Sequence, residues 1–287
     1  MEIFPQLLAN SIVAGSTYAL IALGFNLIYG ATKFVNMSHG AVAATGAYAV
    51  FFLTTSTGVD IWVAAVLGVC AAGIVGFFLD KTIFSPLRAR KASNVTSFIA
   101  SLGAFTVIQA LIAVFFTSEF HTLSTGNDIY VYEIAGASIT QIQFIIICAA
   151  LVIFLGLALI LNKTIFGKAV KAISDDEEVA RVLGINTDRI IGYVFFIGSA
   201  LAGVAGIFVG FDFGIQPTMG LLILLEGATA SIIGGIGNIY GGFLGSFLLA
   251  LVENFGIWKI PSQWKTAISF GLLLVFLIFR PKGIFKK

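Results

Sequence analysis

The sequence predicts an all-α polytopic membrane protein with about 8–10 transmembrane helices, and three observations carry that prediction. First, 59% of the 287 residues are hydrophobic and only 10% are charged, with a mean hydropathy of +1.03; a soluble domain carries about 25% charged residues. Second, the charges are bunched, leaving charge-free stretches at 3–32, 61–79, 92–118, 134–162 and 190–211. A span takes about 20 apolar residues, because the hydrocarbon core is roughly 30 Å thick and a helix rises about 1.5 Å per residue. Third, the basic residues concentrate in three regions: a loop with Lys81, Arg88, Arg90 and Lys91, the segment from Lys163 to Arg189, and a tail with Arg280, Lys282, Lys286 and Lys287.

Lys and Arg in short loops stay on the cytoplasmic side, so those three regions lie inside and the intervening loop with Glu119, Asp128 and Glu133, which lacks Lys and Arg, lies outside. The spans then follow in order. From an outer N-terminus, 7–29 crosses inward, 38–57 outward and 61–80 inward; 95–117 leaves and 139–162 returns. A span at 190–210 leads out to Asp212, read as an outer-loop residue, and 219–236, 238–256 and 263–279 bring the tail back inside. This makes nine crossings, with short or broken segments expected near 30–40 and 226–242. Residues 1–6 contain no Lys or Arg and the apolar run Leu7–Tyr29 exceeds a signal-peptide core, so the first span reads as a retained helix.

Composition also excludes functions. A net charge of +2 with basic residues confined to short loops argues against a nucleic-acid partner. The only histidines, His39 and His121, lie far apart in sequence; no Cys/His/carboxylate group has metal-ligand spacing and no phosphate-cradling G-x-x-x-x-G-K-[ST] occurs. No catalytic residue, metal site or cofactor is therefore expected in this chain, and it cannot hydrolyse ATP alone. Cys70 and Cys148, inside apolar stretches, read as small buried hydrophobes.

Small residues recur every four positions as Gly198, Ala202, Gly206 and Gly210, and again as Gly237, Gly241 and Gly245. Such ladders let helix backbones approach closely in lipid. His39-Gly40-Ala41-Val42-Ala43 faintly echoes Glu226-Gly227-Ala228-Thr229-Ala230 in a half of opposite orientation, as in the inverted repeats of transporters. Glu226 and Glu253, in or beside apolar stretches, are functional candidates, since an ionised group there is costly unless paired or hydrated. Asn36, Ser38 and His39 precede a helix start whose free N–H groups suit a substrate carboxylate, which makes them pathway candidates.

On the inner side, Ser174-Asp175-Asp176-Glu177 fits a capping box with Ser174 as N-cap. The predicted helix carries its acids at the positive end of the macrodipole and Arg181 toward the negative end, and Gly184 offers a left-handed stop. A helix this short is marginal in water. Its apolar face, with Val179, Val182 and Leu183, must rest on the membrane domain or on a docked partner.

Glu178-Val179-Ala180, then Gly184 after three residues, resembles the E-A-A-x-x-x-G coupling signature of ABC importer permeases. The resemblance then broadens over nearly the whole chain to the LivH-type permeases of the branched-chain amino-acid ABC importer family. Asn36-Met37-Ser38-His39-Gly40 with Gly46-Ala47-Tyr48 is similar to that family's N-F-A-H-G and G-A-Y, and residues Leu183 to Arg189 to its L-G-I-N-x-D-R. Gly234-Gly235-Ile236-Gly237-Asn238 with Gly241 and Glu253 is similar to its G-G-I-G-S, G and E, and Arg280 to Phe285 to its R-P-x-G-L-F. The chain departs from the pattern with Ala41 where Glu is frequent, and with Glu226 where Lys is frequent.

The resemblance implies half of a translocation pathway in a bacterial or archaeal cytoplasmic membrane. Its partners would be a second, homologous permease subunit, two cytosolic ATPases that bind ATP and Mg, and an external substrate-binding protein. It assigns segment 163–189, with Ser174, Asp175, Asp176, Glu177, Glu178, Ala180, Arg181 and Gly184, to contact with the ATPase. A self-sufficient ion-coupled transporter or channel is the rival reading, for which Glu226 and Asp212 would have to supply ion ligands.

Overall fold

The computed structural model describes residues 3–123, 130–134 and 136–285; Asp128, Lys286 and Lys287 lie outside the described residues. Helices α1 (Ile3–Thr32) and α2 (Ser38–Thr57) come first. Next, α3 (Ile61–Leu79) runs through a π-helical turn at Asp80–Phe84 into α4 (Ser85–Ala89). After α5 (Asn94–Phe116) a two-stranded antiparallel hairpin, β1 (Val131–Ile134) and β2 (Ala137–Thr140), pairs Val131 with Thr140 and Ile134 with Ala137. Then follow α6 (Gln141–Lys163), α7 (Ile165–Asp175), α8 (Glu177–Val182) and α9 (Thr187–Phe213). The chain closes with α10 (Met219–Gly234), α11 (Ile239–Gly256) and α12 (Lys265–Phe279).

Each predicted span is met by a helix, and the ends are set locally. Asp60 caps α3 by accepting from the Trp62 amide at 3.0 Å, Ser93 caps α5 through the Thr96 amide, and Asn238 caps α11 through the Tyr240 amide. Thr140 and Gln143 form a reciprocal capping box at α6. Seven helices among the described residues are long and apolar enough to cross a membrane; α2 and the 16-residue α10 are not among them.

Those two sit inside the bundle instead. The Met37 amide, just before α2, donates to Ser101 at 2.9 Å. Ser101 lies seven residues into α5, so α2 starts about 10 Å below the end of the bundle. The irregular backbone of 33–37 is tolerated at that depth because protein surrounds it. Its counterpart in the second half is 214–218, ahead of α10, and not 226–242 as expected: α10 is continuous through Glu226, and only the 235–238 turn interrupts the latter range.

The helix pairing follows a two-fold pattern. α1 packs along α11 as α9 packs along α3; α2 packs on α3, α5 and α9 as α10 packs on α11, α12 and α1. The pairs α1·α9 and α2·α10 meet across the pseudo-symmetry axis. Gly40 near the start of α2 abuts Gly220 near the start of α10, so the register of the repeat differs by seven residues from the Gly40/Gly227 echo read in the sequence.

Lipid tails are as apolar as leucine, so close packing rather than the hydrophobic effect holds such helices together. The small residues serve that end. A Cβ on Gly198 would meet Ile28 at 2.8 Å, one on Gly206 would strike the backbone of Ala43, and one on Gly210 would meet Leu123 at 2.6 Å. Ala202 is fully buried. In α11, Gly241 and Gly245 abut Gly234 and Ala230. Gly237 is not part of that ladder: it lies in the α10–α11 turn with φ +81°, where its amide donates to Asn26 at 2.7 Å. Cys70 and Cys148 are likewise not buried but lie on the outer surfaces of α3 and α6.

The two ends of the bundle differ in charge. One end gathers Lys33, the Lys81–Lys91 loop, α7, α8 and the start of α9: Lys33 donates to Ser174 at 3.4 Å, and Arg88 lies 2.7 Å from the buried Asp80 and 3.9 Å from Asp188. The other end carries the hairpin, which Gln6 at the start of α1 clasps through Ser138 at 2.8 Å. There too His121 and Ile215 exchange backbone hydrogen bonds of 3.0 and 2.8 Å. The basic end is the one that the sequence expectation assigns to the cytoplasmic side, and it is called the inner end below; the hairpin end is called the outer end.

Candidate functional site

At the outer end, α1, α9, α10, α11 and α12 leave a cleft of about 580 Å³. Polar positions on its walls follow helical spacing: Asn10 and Thr17 on α1, Asp212 on α9, Glu226 on α10. Gln143 joins them from α6, where its amide donates to Asp212 at 3.1 Å while its oxygen accepts from the Thr140 amide at 3.2 Å. Asp212 is therefore not an outer-loop residue; it sits half-buried in the last turn of α9, held by a group that also caps α6. Between these polar groups the walls are apolar, with Val13, Met219 and Ile223.

Glu253 stands behind the cleft, fully buried. Its carboxylate accepts from Tyr18 at 2.7 Å and from Ser269, and the Lys265 ammonium lies 3.7 Å away. That ammonium also sits 5.7 Å from the centre of the Tyr18 ring. Burying a carboxylate without partners would cost several kcal/mol; three donors converging from α1 and α12 make the site tolerable. Both Tyr18 and Lys265 face the cleft.

Toward the inner end the α1–α10 seam is closed. Gly227 abuts Ile21, and Asn26 donates to Ser231 at 3.0 Å while accepting from Gly237. Asn36, Ser38 and His39 lie inside this packed region and line no part of the cleft. Asn36 accepts from the Ser38 hydroxyl at 2.6 Å, and His39 is fully buried against Gly24 and Phe25.

The inner end presents a different surface. Thr164 caps α7 by accepting from the Gly167 amide at 3.0 Å, and α7 packs Val170 and Ile173 inward. The N-cap of α8 is Asp176, which accepts from the Val179 amide at 3.0 Å; the Ser174 capping box does not form, because α7 continues through Asp175 and buries Ser174 in its last turn. Gly184, at φ +85°, ends the segment as expected. Arg181 pairs with Glu177 at 2.9 Å and donates to Thr187 at 3.1 Å, tying α8 to the first residue of α9. Ala180 is buried beneath, whereas Val179, Val182 (87% exposed) and Leu183 (73% exposed) point outward with Glu178.

Tyr18, Gln143 and Lys265 went unnoticed in the sequence. The signal for the first was available: Asn10, Thr17 and Tyr18 recur at helical spacing and put polar groups on one face of α1. Gln143 and Lys265 carry no such signal, because their partners lie 69 and 12 residues away in sequence.

A multi-pass helical bundle built on a two-fold pairing of helices, with a charged cleft at one end and a rigidly tied apolar surface at the other, is a membrane permease. Residues 7–277 match the family described as "Branched-chain amino acid transport system / permease component". The chain belongs to that family. It is 34% identical over 98% of its length, and 95% of the relative's, to the high-affinity branched-chain amino acid transport system permease protein BraD of Pseudomonas aeruginosa. Identity is 32% to the corresponding LivH protein of Escherichia coli over the same shares of the two chains. It is 26% to a probable LivH of Methanocaldococcus jannaschii, covering 97% of this chain and 91% of that one.

Proposed function

We propose that this chain is one permease subunit of an ATP-driven importer of branched-chain amino acids in a prokaryotic cytoplasmic membrane. It forms half of the pathway beside a homologous second subunit, receives substrate from an external binding protein, and is driven by two cytosolic ATPases that bind ATP and Mg. The cleft walled by Glu226 is the outward part of its route, and closure of the α1–α10 seam keeps that route shut toward the cytoplasm. Alternating access then requires two arrangements that the ATPase distinguishes energetically.

The observation that carries this reading is α8. Val179, Val182 and Leu183 are exposed at the basic end although burial of each would be worth about 1.5–3 kcal/mol, and the cap, the Arg181–Thr187 link and the Gly184 stop hold them in one geometry. Exposed apolar side chains on so well fixed a support fit a partner's groove, and through Thr187 any displacement passes straight to α9.

The test is a Val182→Asp/Leu183→Asp variant reconstituted with its partner subunits in proteoliposomes. ATPase retention through purification and ATP-driven uptake are expected to be lost, with membrane insertion retained. Undiminished uptake, or uptake driven by a proton or sodium gradient without any ATPase, would refute the reading.

A further inference from the structure

The outer cleft has an unusual distribution of charge. Lys265 is committed only in part: Glu253, 3.7 Å away, already accepts from Tyr18 and Ser269, and the lysine side chain remains about one-third exposed (35%) to the cleft. Glu226, on α10, lies in the field of the Lys265 ammonium and within hydrogen-bonding reach of Tyr18, so that Lys265 answers both Glu226 and Glu253; Asp212, on α9, makes no ion pair among the described residues. Asp212 accepts only from the neutral amide of Gln143. In and behind a mostly apolar cleft there are therefore three carboxylates, Asp212, Glu226 and Glu253, and one lysine to answer them.

An excess of acidic groups in so apolar a setting is costly unless a ligand or water answers it. A ligand carrying one cation would meet Glu226, and one that also carries an anion would meet Lys265. The apolar wall formed by Val13, Met219 and Ile223 is suited to a short aliphatic group. The volume, about 580 Å³, falls in the roughly 300–1,000 Å³ range of small-ligand pockets.

We propose that this cleft is a binding subsite for an aliphatic α-amino acid in its zwitterionic form, with the ammonium received by Glu226, the carboxylate by Lys265 and the side chain by Val13, Met219 and Ile223. The proposal rests on the importer reading above and adds to it that the permease itself recognises both ends of the solute. Tyr18 and Glu253 are positioning residues here: they fix Lys265 without touching the ligand. Selectivity in the assembled importer is then exercised twice, once by the delivering protein and once in this cleft.

The test uses the full-length permease assembled with its partner subunits but without the external binding protein, titrated in ligand-observed NMR with three probes. L-leucine carries both charges, leucine amide lacks the carboxylate, and 4-methylpentanoate lacks the ammonium. Leucine is expected to bind at least about tenfold more tightly than either analogue, a difference of about 1.4 kcal/mol. Lys265→Met should bring leucine down to the level of leucine amide, with Lys265→Arg restoring most of the difference, and Glu226→Gln should bring leucine toward 4-methylpentanoate.

Equal affinities for the three probes on the unaltered protein would overturn the proposal, as would unchanged leucine affinity in Lys265→Met. ATP-driven uptake measured on the same preparation separates the two levels. Intact uptake with no discrimination among probes removes the subsite and leaves the importer standing; a complex that neither retains an ATPase nor transports removes both.

Discussion

Gly40 and Gly220 touch backbone to backbone: a Cβ on Gly40 would lie 2.9 Å from the carbonyl carbon of Gly220, and one on Gly220 would lie 2.7 Å from that of Gly40. The contact joins the first turns of α2 and α10, the two short helices at the pseudo-symmetry axis. Since the obstacle is backbone and not the end of a flexible side chain, any methyl group there must push the helices apart.

Gly40→Ala and Gly220→Ala are each expected to cost about 1–3 kcal/mol, the usual price of overpacking. The double variant should cost less than the sum, because the first substitution already opens the gap that the second needs. Thermal melts in detergent provide the check. Gly103→Ala and Gly156→Ala, where a Cβ meets nothing within 4 Å, serve as controls and should be neutral or slightly stabilising.

Asn26 is fully occupied: its amide donates to Ser231 and its oxygen accepts from the Gly237 amide. Asn26→Leu keeps the volume but strands that N–H in a half-buried turn, so a loss of about 1 kcal/mol is expected. Ser231→Ala should cost at least as much, since it strands the buried Asn26 N–H, whereas the hydroxyl's second bond, to the Gly227 carbonyl at 2.7 Å, is one the helix can forgo. The same melts, with the midpoint shift ranked across the two variants, decide it.

At the inner end, Arg88→Met would leave the buried Asp80 carboxylate with only Lys81, 3.8 Å away and partly exposed. Breaking one side of such a pair costs about 3–5 kcal/mol. Adding Asp80→Leu to Arg88→Met should recover much of that loss, and a double-mutant cycle on the unfolding midpoint measures the recovery.

Asp176→Ala removes the cap of α8, an effect of about 1 kcal/mol. Hydrogen exchange should accelerate at the amides of Val179 and its neighbours and stay unchanged in α1 and α9, with ATP-driven uptake reduced. Unaltered exchange in α8 would show that the helix is held by its neighbours alone.

The helices at the nine expected positions were legible because hydrophobic runs parted by charge leave few alternatives, and α2 matches its expected bounds of 38–57; that α2 and α10 fall short of span character was not. What escaped was tertiary. Ser174 and Asp176 are both good N-caps two residues apart, and only the extension of α7 through Asp175 decides between them. The repeat register could not be read from alanines and glycines that recur everywhere in such a sequence. Of the charged residues, Glu226 and Glu253 announced themselves by standing in apolar stretches, whereas Lys265 at a helix start looked like an ordinary interfacial lysine until Glu253 and Tyr18 were seen beside it.

Because α9 is 27 residues long, it forms a rod of about 40 Å joined to Arg181 at one end and carrying Asp212 at the other. Gly198 pins it against α1 near its middle. One stiff beam thus spans the bundle, and on the importer reading proposed above the grip on a solute outside and the grip of a motor inside would sit at its opposite ends.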